Sequence, residues 1–418
     1  MKLFFLVLSL ILFFSCSKEN TSHKKNSNTS QESSTLKDDS DNVRICASVP
    51  SVQDEYVPLF NTNVFIRSSS EDIADKIENA LVYYHKLFDA HHFYYDDSEN
   101  GIVKNLKTVN EHIAILKSIQ VKDDFAELLS ESFRLMKLTN DNLNIFLLPV
   151  SMLYSGYFSS FPISRDDPNS DEIKNALKQV LFSDDAINHI LIDKNTNSSN
   201  DGTNNSTLSF LAYNKSSHNN SYESLSYEID FGALAKGFAA KKISEKYTDA
   251  PYLLSIGSST LFANKKMYRI GIASPYYKTL ALLQINLADG FALSTSGTTN
   301  SYYILSGKAD TIRCHIIDPR TGYSNNWWWN VIVISDNALV SDALSTALFN
   351  VKDEQEILEI ISSVRSAYKC MIEVCFVKNE SSDEKTVSLI MTKNFEQYIR
   401  SDYEGIGIIA KHIISENL

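Results

Sequence analysis

In "SEDIADKIENALVYYHKLFDA", residues 70–90, apolar residues recur every three to four positions. A serine and acids stand at the start, so the pattern predicts an amphipathic helix. Just before it, "NTNVFIRSSS" reads as a short strand, and two more amphipathic helices are predicted around 107–118 and 122–139. The spacing then changes. "NIFLLPVSMLYSGYF", residues 144–158, is apolar without a period and carries Pro149 and Gly156, as a pocket-lining loop does. From residue 225 onward short strands alternate with helices. Strands are predicted at 225–231, 252–257, 268–273, 280–287, 313–317 and 330–335, and helices at 233–247, 339–350 and 353–365. The mixed order and hairpin-length gaps predict an α+β fold with mixed, mainly antiparallel sheets and flanking helices, not a regular βαβ sheet.

Two stretches fall outside this pattern. Residues 196–224 are dominated by Asn and Ser and read as an exposed low-complexity insertion broken by one short strand. At the N-terminus, Lys2 precedes an apolar run from Leu3 to Phe14, then Ser15 and Cys16. The run is too short to span a bilayer and reads as an export signal over 1–15. A cysteine directly after it resembles a bacterial lipoprotein cleavage site, with Cys16 the lipidated first residue of the mature chain. The other reading is an ordinary cleaved signal with an incidental cysteine. Residues 16–44 are polar and read as a flexible tether, which leaves one domain over 45–418. Lipidation implies a protein anchored to the inner membrane and facing the periplasm.

The whole chain has 418 residues, is 43% hydrophobic and has a net charge of -12. An acidic chain without a Lys/Arg cluster is a poor nucleic-acid partner. Cys46, Cys314, Cys370 and Cys375 match no metal-knuckle spacing, and the last two lie in an apolar run, as buried thiols do.

Four short motifs could carry chemistry. "IDFGALAKGFAAKK", residues 229–242, places Gly232 where a strand would feed a helix N-terminus, which favours anions. Lys236 adds a point charge for a phosphate. Asp230 suits a ribose hydroxyl, a ring N–H or a metal. A capped core helix with a solvated lysine explains the same letters. In "HIIDPRTGY", residues 315–323, a turn accounts for Asp318, Pro319 and Gly322 but not for His315 beside Arg320. In "SDALSTALFN", residues 341–350, Asp342 and Thr346 share one helix face and are hard oxygen ligands of the kind Mg²⁺ takes, or Ser341 and Asp342 only cap the helix. Ser294 to Thr299 reads as a hydroxyl-rich loop between two strands, either an anion cradle or a hairpin.

Together and in this order, "IDFGALAKG", "LSIGSS", "YRIGIASP", "LSTSG", "HIIDPRTGY" and "SDALSTALF" resemble the ApbE family, the FAD:protein FMN transferases. The resemblance implies a single catalytic domain that takes FAD and Mg²⁺, moves FMN onto a threonine of another protein and releases AMP. Acceptors would be exported flavoproteins and subunits of membrane redox complexes with an Asp-to-Thr motif. It assigns Asp342, Thr346 and the carbonyl of Ala233 to the metal. It assigns Asp230, Lys236, His315 and the loop of Tyr154, Ser155 and Gly156 to FAD. His315 is read as the base toward the acceptor threonine, and Asp342 as catalytic through the metal. Tyr154 stands where a tryptophan is usual. Ser258 and Ser259 depart from the family's glycine pattern, and Thr298-Thr299 from its acid-aromatic pair. The alternatives are an Mg²⁺-dependent FAD pyrophosphatase and a non-catalytic FAD-binding lipoprotein. "WWWN", residues 327–330, holds all three tryptophans and is either an exposed docking cluster or a buried strand edge.

Overall fold

Nine strands lie side by side, in chain order, in the main sheet of the computed structural model. They are β1 (Asn42–Ile45), β2 (Val64–Ser68), β3 (Tyr252–Ile256), β4 (Thr260–Asn264), β5 (Ala292–Gly297), β6 (Asn330–Ser335), β7 (Ile372–Ser381), β8 (Thr386–Thr392) and β9 (Ile408–Ile414). Every neighbouring pair is antiparallel except β8 and β9. The structure describes residues 41–96, 101–194, 205–211, 213–216, 222–225, 227–277, 279–298, 301–381, 385–401 and 407–414.

The period-2 alternation of the strands splits the core in two. Leu254, Ile256, Ala292, Val331, Val333, Val374 and Phe376 face helices α1 (Glu71–Phe88), α4 (Ala235–Lys246), α5 (Ala338–Phe349) and α6 (Glu354–Tyr368). Leu261, Ala263, Leu293, Ile332, Ile334, Val377 and Leu389 face the hairpin of Tyr268–Ala273 and Ala281–Leu287. Each of the Val, Leu, Ile and Phe side chains among them, once fully buried, contributes about 1.5–3 kcal/mol. A further apolar core gathers α2 (Leu106–Ala114), α3 (Asp123–Leu138) and the inner faces of α1, α4 and α5. Helix α5 is apolar on nearly every side and lies where three cores meet, with Leu339, Val340 and Ala338 each in a different one.

The α+β class, mainly antiparallel, is as the sequence pattern implies, and the long helices lie within a few residues of their expected bounds. Several stretches differ. The insertion over 196–224, read as exposed and broken by one short strand, carries three, Asn205–Phe210, Tyr213–Ser216 and Tyr222–Leu225, and Leu208 and Phe210 of the first are buried. The strand read over 313–317 covers only Ile312–Cys314. The segment read as a strand over 225–231 pairs only at Tyr222–Leu225, with Tyr213–Ser216. Residues 227–231 lie outside any ladder, because the backbone of Ile229 is taken by the Asn110 amide and Asp230 N–H bonds to the Ile145 carbonyl. The hydroxyl-rich run from Ser294 is strand rather than loop through Gly297, since β4 and β6 satisfy its backbone on both sides. Thr299 lies outside the described residues. Edge strand β1 begins inside the stretch read as tether, and Arg44 ties it to Glu71, Asp75 and Glu78 of α1. Within 144–158, Leu148–Ser151 and Met152–Tyr154 form single helical turns. The export signal, Cys16 and most of the tether lie outside the described residues.

The tryptophans divide. Trp328 is buried against Phe376 and donates to the Val351 carbonyl at 2.8 Å, while Trp327 and Trp329 are half-buried. Cys314, Cys370 and Cys375 are buried and free, as an apolar setting requires.

Helix α4 approaches α5 closely at Gly237. A Cβ there would lie 2.5 Å from Asp342 Cβ and 2.6 Å from the Ala338 carbonyl oxygen. Helix propensity would favour Gly237→Ala by about 1 kcal/mol, but overpacking against fixed backbone costs about 1–3 kcal/mol or more. The clash should win. Gly237→Ala is expected to lower the denaturation midpoint, while Gly232→Ala, whose Cβ would meet only its neighbour Asp230 at 3.4 Å, should leave it unchanged. Urea unfolding followed by fluorescence checks both.

Candidate active site

The site is built around the irregular segment 227–234, which turns and enters α4. Asp230 shapes the turn, its Oδ1 accepting the Gly232 N–H at 2.9 Å. Lys236 sits one helical turn later, and its ammonium donates to the Gly232 carbonyl at 3.1 Å. Both side chains therefore sit on one lip of a cleft lined by Phe60, Asn61, His91, Asp230, Gly232 and Lys236.

Asp342 anchors this lip to the sheet. Only 4% exposed, it receives the Gly237 N–H on Oδ2 at 2.8 Å and the Thr260 hydroxyl on Oδ1 at 2.9 Å. A helix continuing back from α4 would send the Gly237 N–H to the carbonyl of Ala233, four residues earlier. Asp342 takes that donor instead, and among the described residues no other donor reaches the Ala233 carbonyl. The freed carbonyl oxygen is thus available to a ligand.

Thr346 follows Asp342 by one turn of α5 and is half-buried. Its hydroxyl meets Ser296 of β5 at 3.3 Å, within a hydroxyl ladder that also pairs Ser296 with Ser345 at 2.9 Å and Ser294 with Ser341 at 2.9 Å. A carboxylate, a hydroxyl and a main-chain carbonyl form a hard-oxygen donor set suited to Mg²⁺, which keeps several coordination positions for water and phosphate. Each carboxylate oxygen of Asp342 retains a lone pair beyond its one protein hydrogen bond. The residues present fit the ion. Among the described residues no group of three or more His, Cys, Asp and Glu side chains offers another metal cluster.

His315 lies one residue beyond the strand Ile312–Cys314. The residue is exposed at the surface, with enough protein about it to desolvate the ring. Desolvation holds its pKa below the ordinary histidine range, the Lys236 charge pushes the same way, and a hydrogen bond with the Ser301 backbone opposes them. The fold therefore brings together Lys236 and His315, residues far apart in the chain. Arg320 instead serves the turn, pairing with Asp318 and donating to the Asn350 carbonyl at 3.0 Å.

Tyr154 has a different place from the one its loop position implies. It is 2% exposed, donates to the Gly322 carbonyl at 2.8 Å and stacks on Phe158. A ring so enclosed is a packing residue and has no open face for stacking a flavin. Ser155 and Gly156 are exposed beside it, and the Gly156 carbonyl accepts from Arg165 at 2.7 Å. Tyr157, with the Arg165 guanidinium over its ring, and Phe158 are both half-buried and keep accessible surface. The half-buried Gly257 and the exposed Ser258 form the β3–β4 turn, both with left-handed backbone, at φ 67° and 55°. Ser296 belongs to the hydroxyl-rich run read from the sequence, whereas Thr260, Asn61 and His91 carried no sequence signal of their own, because they meet the motif residues only through tertiary contact.

The chain matches the ApbE family model over residues 61–372, well over half its length. The FAD:protein FMN transferase of Haemophilus influenzae is 25% identical over 294 residues, covering 68% of this chain and 76% of that one. The FAD:protein FMN transferase of Salmonella typhimurium is 32% identical over a shorter 128-residue match, 29% of this chain and 36% of that one. Among solved structures, the ApbE protein of Thermotoga maritima aligns with a TM-score of 0.58 at 19% identity, covering 86% of this chain and all of that one. The flavin transferase ApbE of Vibrio cholerae aligns at 0.56 and 19%, covering 86% and 99%. Fold, motif order and family match agree: the chain belongs to the ApbE family and is a transferase.

Proposed function

We propose that this protein is an Mg²⁺-dependent FAD:protein FMN transferase. It moves FMN from FAD to a threonine of an exported or membrane flavoprotein and acts from a lipid anchor at Cys16. The observation that carries the reading is the diversion of the Gly237 N–H to Asp342, which frees the Ala233 carbonyl between an acid and a lysine. A core helix has no use for that arrangement, and a pyrophosphate-bound cation does.

The cleft lip of Asp230 and Lys236 holds the dinucleotide, with the Lys236 ammonium against a phosphate oxygen. Asp342, Thr346 and the Ala233 carbonyl would hold Mg²⁺, which when bound neutralises charge on the pyrophosphate. The acceptor threonine oxygen forms a bond to the FMN phosphorus, and the bond from that phosphorus to the bridging oxygen breaks. AMP leaves with the bridging oxygen, and His315 takes the threonine proton. Positioning and charge stabilisation supply most of the acceleration in such a displacement.

Two outcomes test this. The full chain in detergent, given FAD, Mg²⁺ and an acceptor domain, should yield a fluorescent acceptor band and stoichiometric AMP. Thr346→Val and Asp342→Asn should each lower the rate about 100-fold or more while the far-UV spectrum stays unchanged. AMP released equally without acceptor would identify a pyrophosphatase, and bound FAD without AMP a binding protein. The second outcome is the pH profile. Since His315 acts as free base and its pKa is held below the ordinary histidine range, the acid limb of the rate should have its midpoint below pH 6.5. Removing the neighbouring charge in Lys236→Gln should move the acid limb upward. An acid limb above pH 6.5 in the wild type would remove His315 from the base role.

A further inference from the structure

The last turn of α1 carries a buried polar cluster that the transfer chemistry leaves unused. His85 is 3% exposed, Asp89 7% and Tyr94 fully buried. His85 Nδ1 accepts the Phe60 N–H at 3.1 Å, so its proton is on Nε2, which faces the Tyr94 hydroxyl oxygen at 3.0 Å. The tautomer follows from the first bond, because a backbone N–H can only donate. Tyr94 in turn donates to Asp89 Oδ2 at 2.5 Å. Asp89 Oδ1 accepts the His91 N–H at 2.6 Å and the His92 N–H at 3.2 Å, and Oδ2 also meets His92 Nδ1 at 2.9 Å. Donation runs one way from Phe60 through His85 and Tyr94 to Asp89, and the His91 and His92 N–H groups donate to the same carboxylate from the other side.

Charge states agree with this wiring. Burial lowers the His85 pKa to about 4, so the ring is neutral. Burial alone would raise the Asp89 pKa, but the hydrogen bonds from Tyr94, the His91 backbone and His92 outweigh it, and the group stays ionised.

The two ends of the cluster are two loops that line the same cleft as Asp230 and Lys236. Phe60 and Asn61 both have left-handed backbone, at φ 52° and 54°. Non-glycine residues hold that conformation at a cost of about 1 kcal/mol or more each, so something must fix it. Ala90 and His91 form the neighbouring loop, held by Asp89 and by Lys107, whose ammonium donates to the His91 carbonyl at 2.9 Å. Phe60, Asn61, Ala90 and His91 all line the cleft. We propose that His85 is a positioning residue. Through Tyr94 and Asp89 it holds the Phe60–Asn61 and Ala90–His91 loops as one unit, the cleft wall that faces the dinucleotide. The proposal rests on the reading of the cleft as the FAD site and extends that reading to the wall facing the lysine.

The test uses the full chain in detergent, with hydrogen–deuterium exchange over residues 56–63 and 89–95 and FAD titration in EDTA without acceptor. Tyr94→Phe, which removes only the central hydroxyl, should speed exchange in both segments, leave α5 protected and weaken FAD binding about three- to tenfold. His85→Leu should do the same. His85→Asn, whose side-chain oxygen can again accept the Phe60 N–H, should restore protection at 56–63. If Tyr94→Phe loosens only 89–95, the two loops are not coupled and the proposal fails. If both segments loosen and FAD affinity is unchanged, the cluster serves packing alone and the proposal fails. A wild-type chain that binds no FAD would overturn the FAD reading and this wall's role in it, while the exchange data would still decide the coupling.

Discussion

The carboxylate of Asp342 is the joint on which the site depends. It reaches from α5 to the first turn of α4 and to β4, and it does so through a gap that only glycine at 237 leaves open. Two hydrogen bonds to a buried carboxylate are strong, because the acceptor is ionised and the surroundings are dry. The same bonds fix how α4 starts. They release the Ala233 carbonyl and leave Lys236, in the same turn of helix, on the lip of the cleft. Packing and chemistry share one residue here, so the helix junction cannot be loosened without disturbing the donor set.

The sheet supplies the rigidity this arrangement requires. Nine strands in chain order form one continuous ladder, and both faces are covered by apolar cores. Strand β5 carries its hydroxyls toward α5, and the Ser294–Ser341 and Ser296–Ser345 contacts set the rotation of that helix. Asp342 and Thr346 are presented on one side as a result. Loops then bring the remaining parts: the turn after Cys314 delivers His315, and the loops flanking α1 close the far wall of the cleft.

Much of this was legible in the sequence where a signal is local. The amphipathic spacing of 70–90 and 122–139 marks α1 and α3, because each buries a single stripe. Helix α5 was legible as apolar with a polar pair four apart. The short helices Ser170–Leu177 and Ser183–His189 were not, since two turns give too few periods to register. The Ser-Thr-Ser-Gly run of β5 has turn composition, and only its partners on both sides make it strand. The same limit hid the most informative contact. Nothing in "ALAKG" says that its glycine N–H turns away from its own helix toward Asp342. Tyr154 shows the converse: its position in the loop suggested a stacking surface, and tertiary packing on Phe158 and Gly322 closed it.

The most direct measurement is a crystal of the full domain soaked with Mn²⁺ and FAD, read by anomalous scattering at the manganese edge. The account predicts one strong peak within coordination distance of the Ala233 carbonyl, Asp342 and Thr346, beside the pyrophosphate. A peak elsewhere, or clear FAD density with the Ala233 carbonyl bonded only to protein, would contradict it.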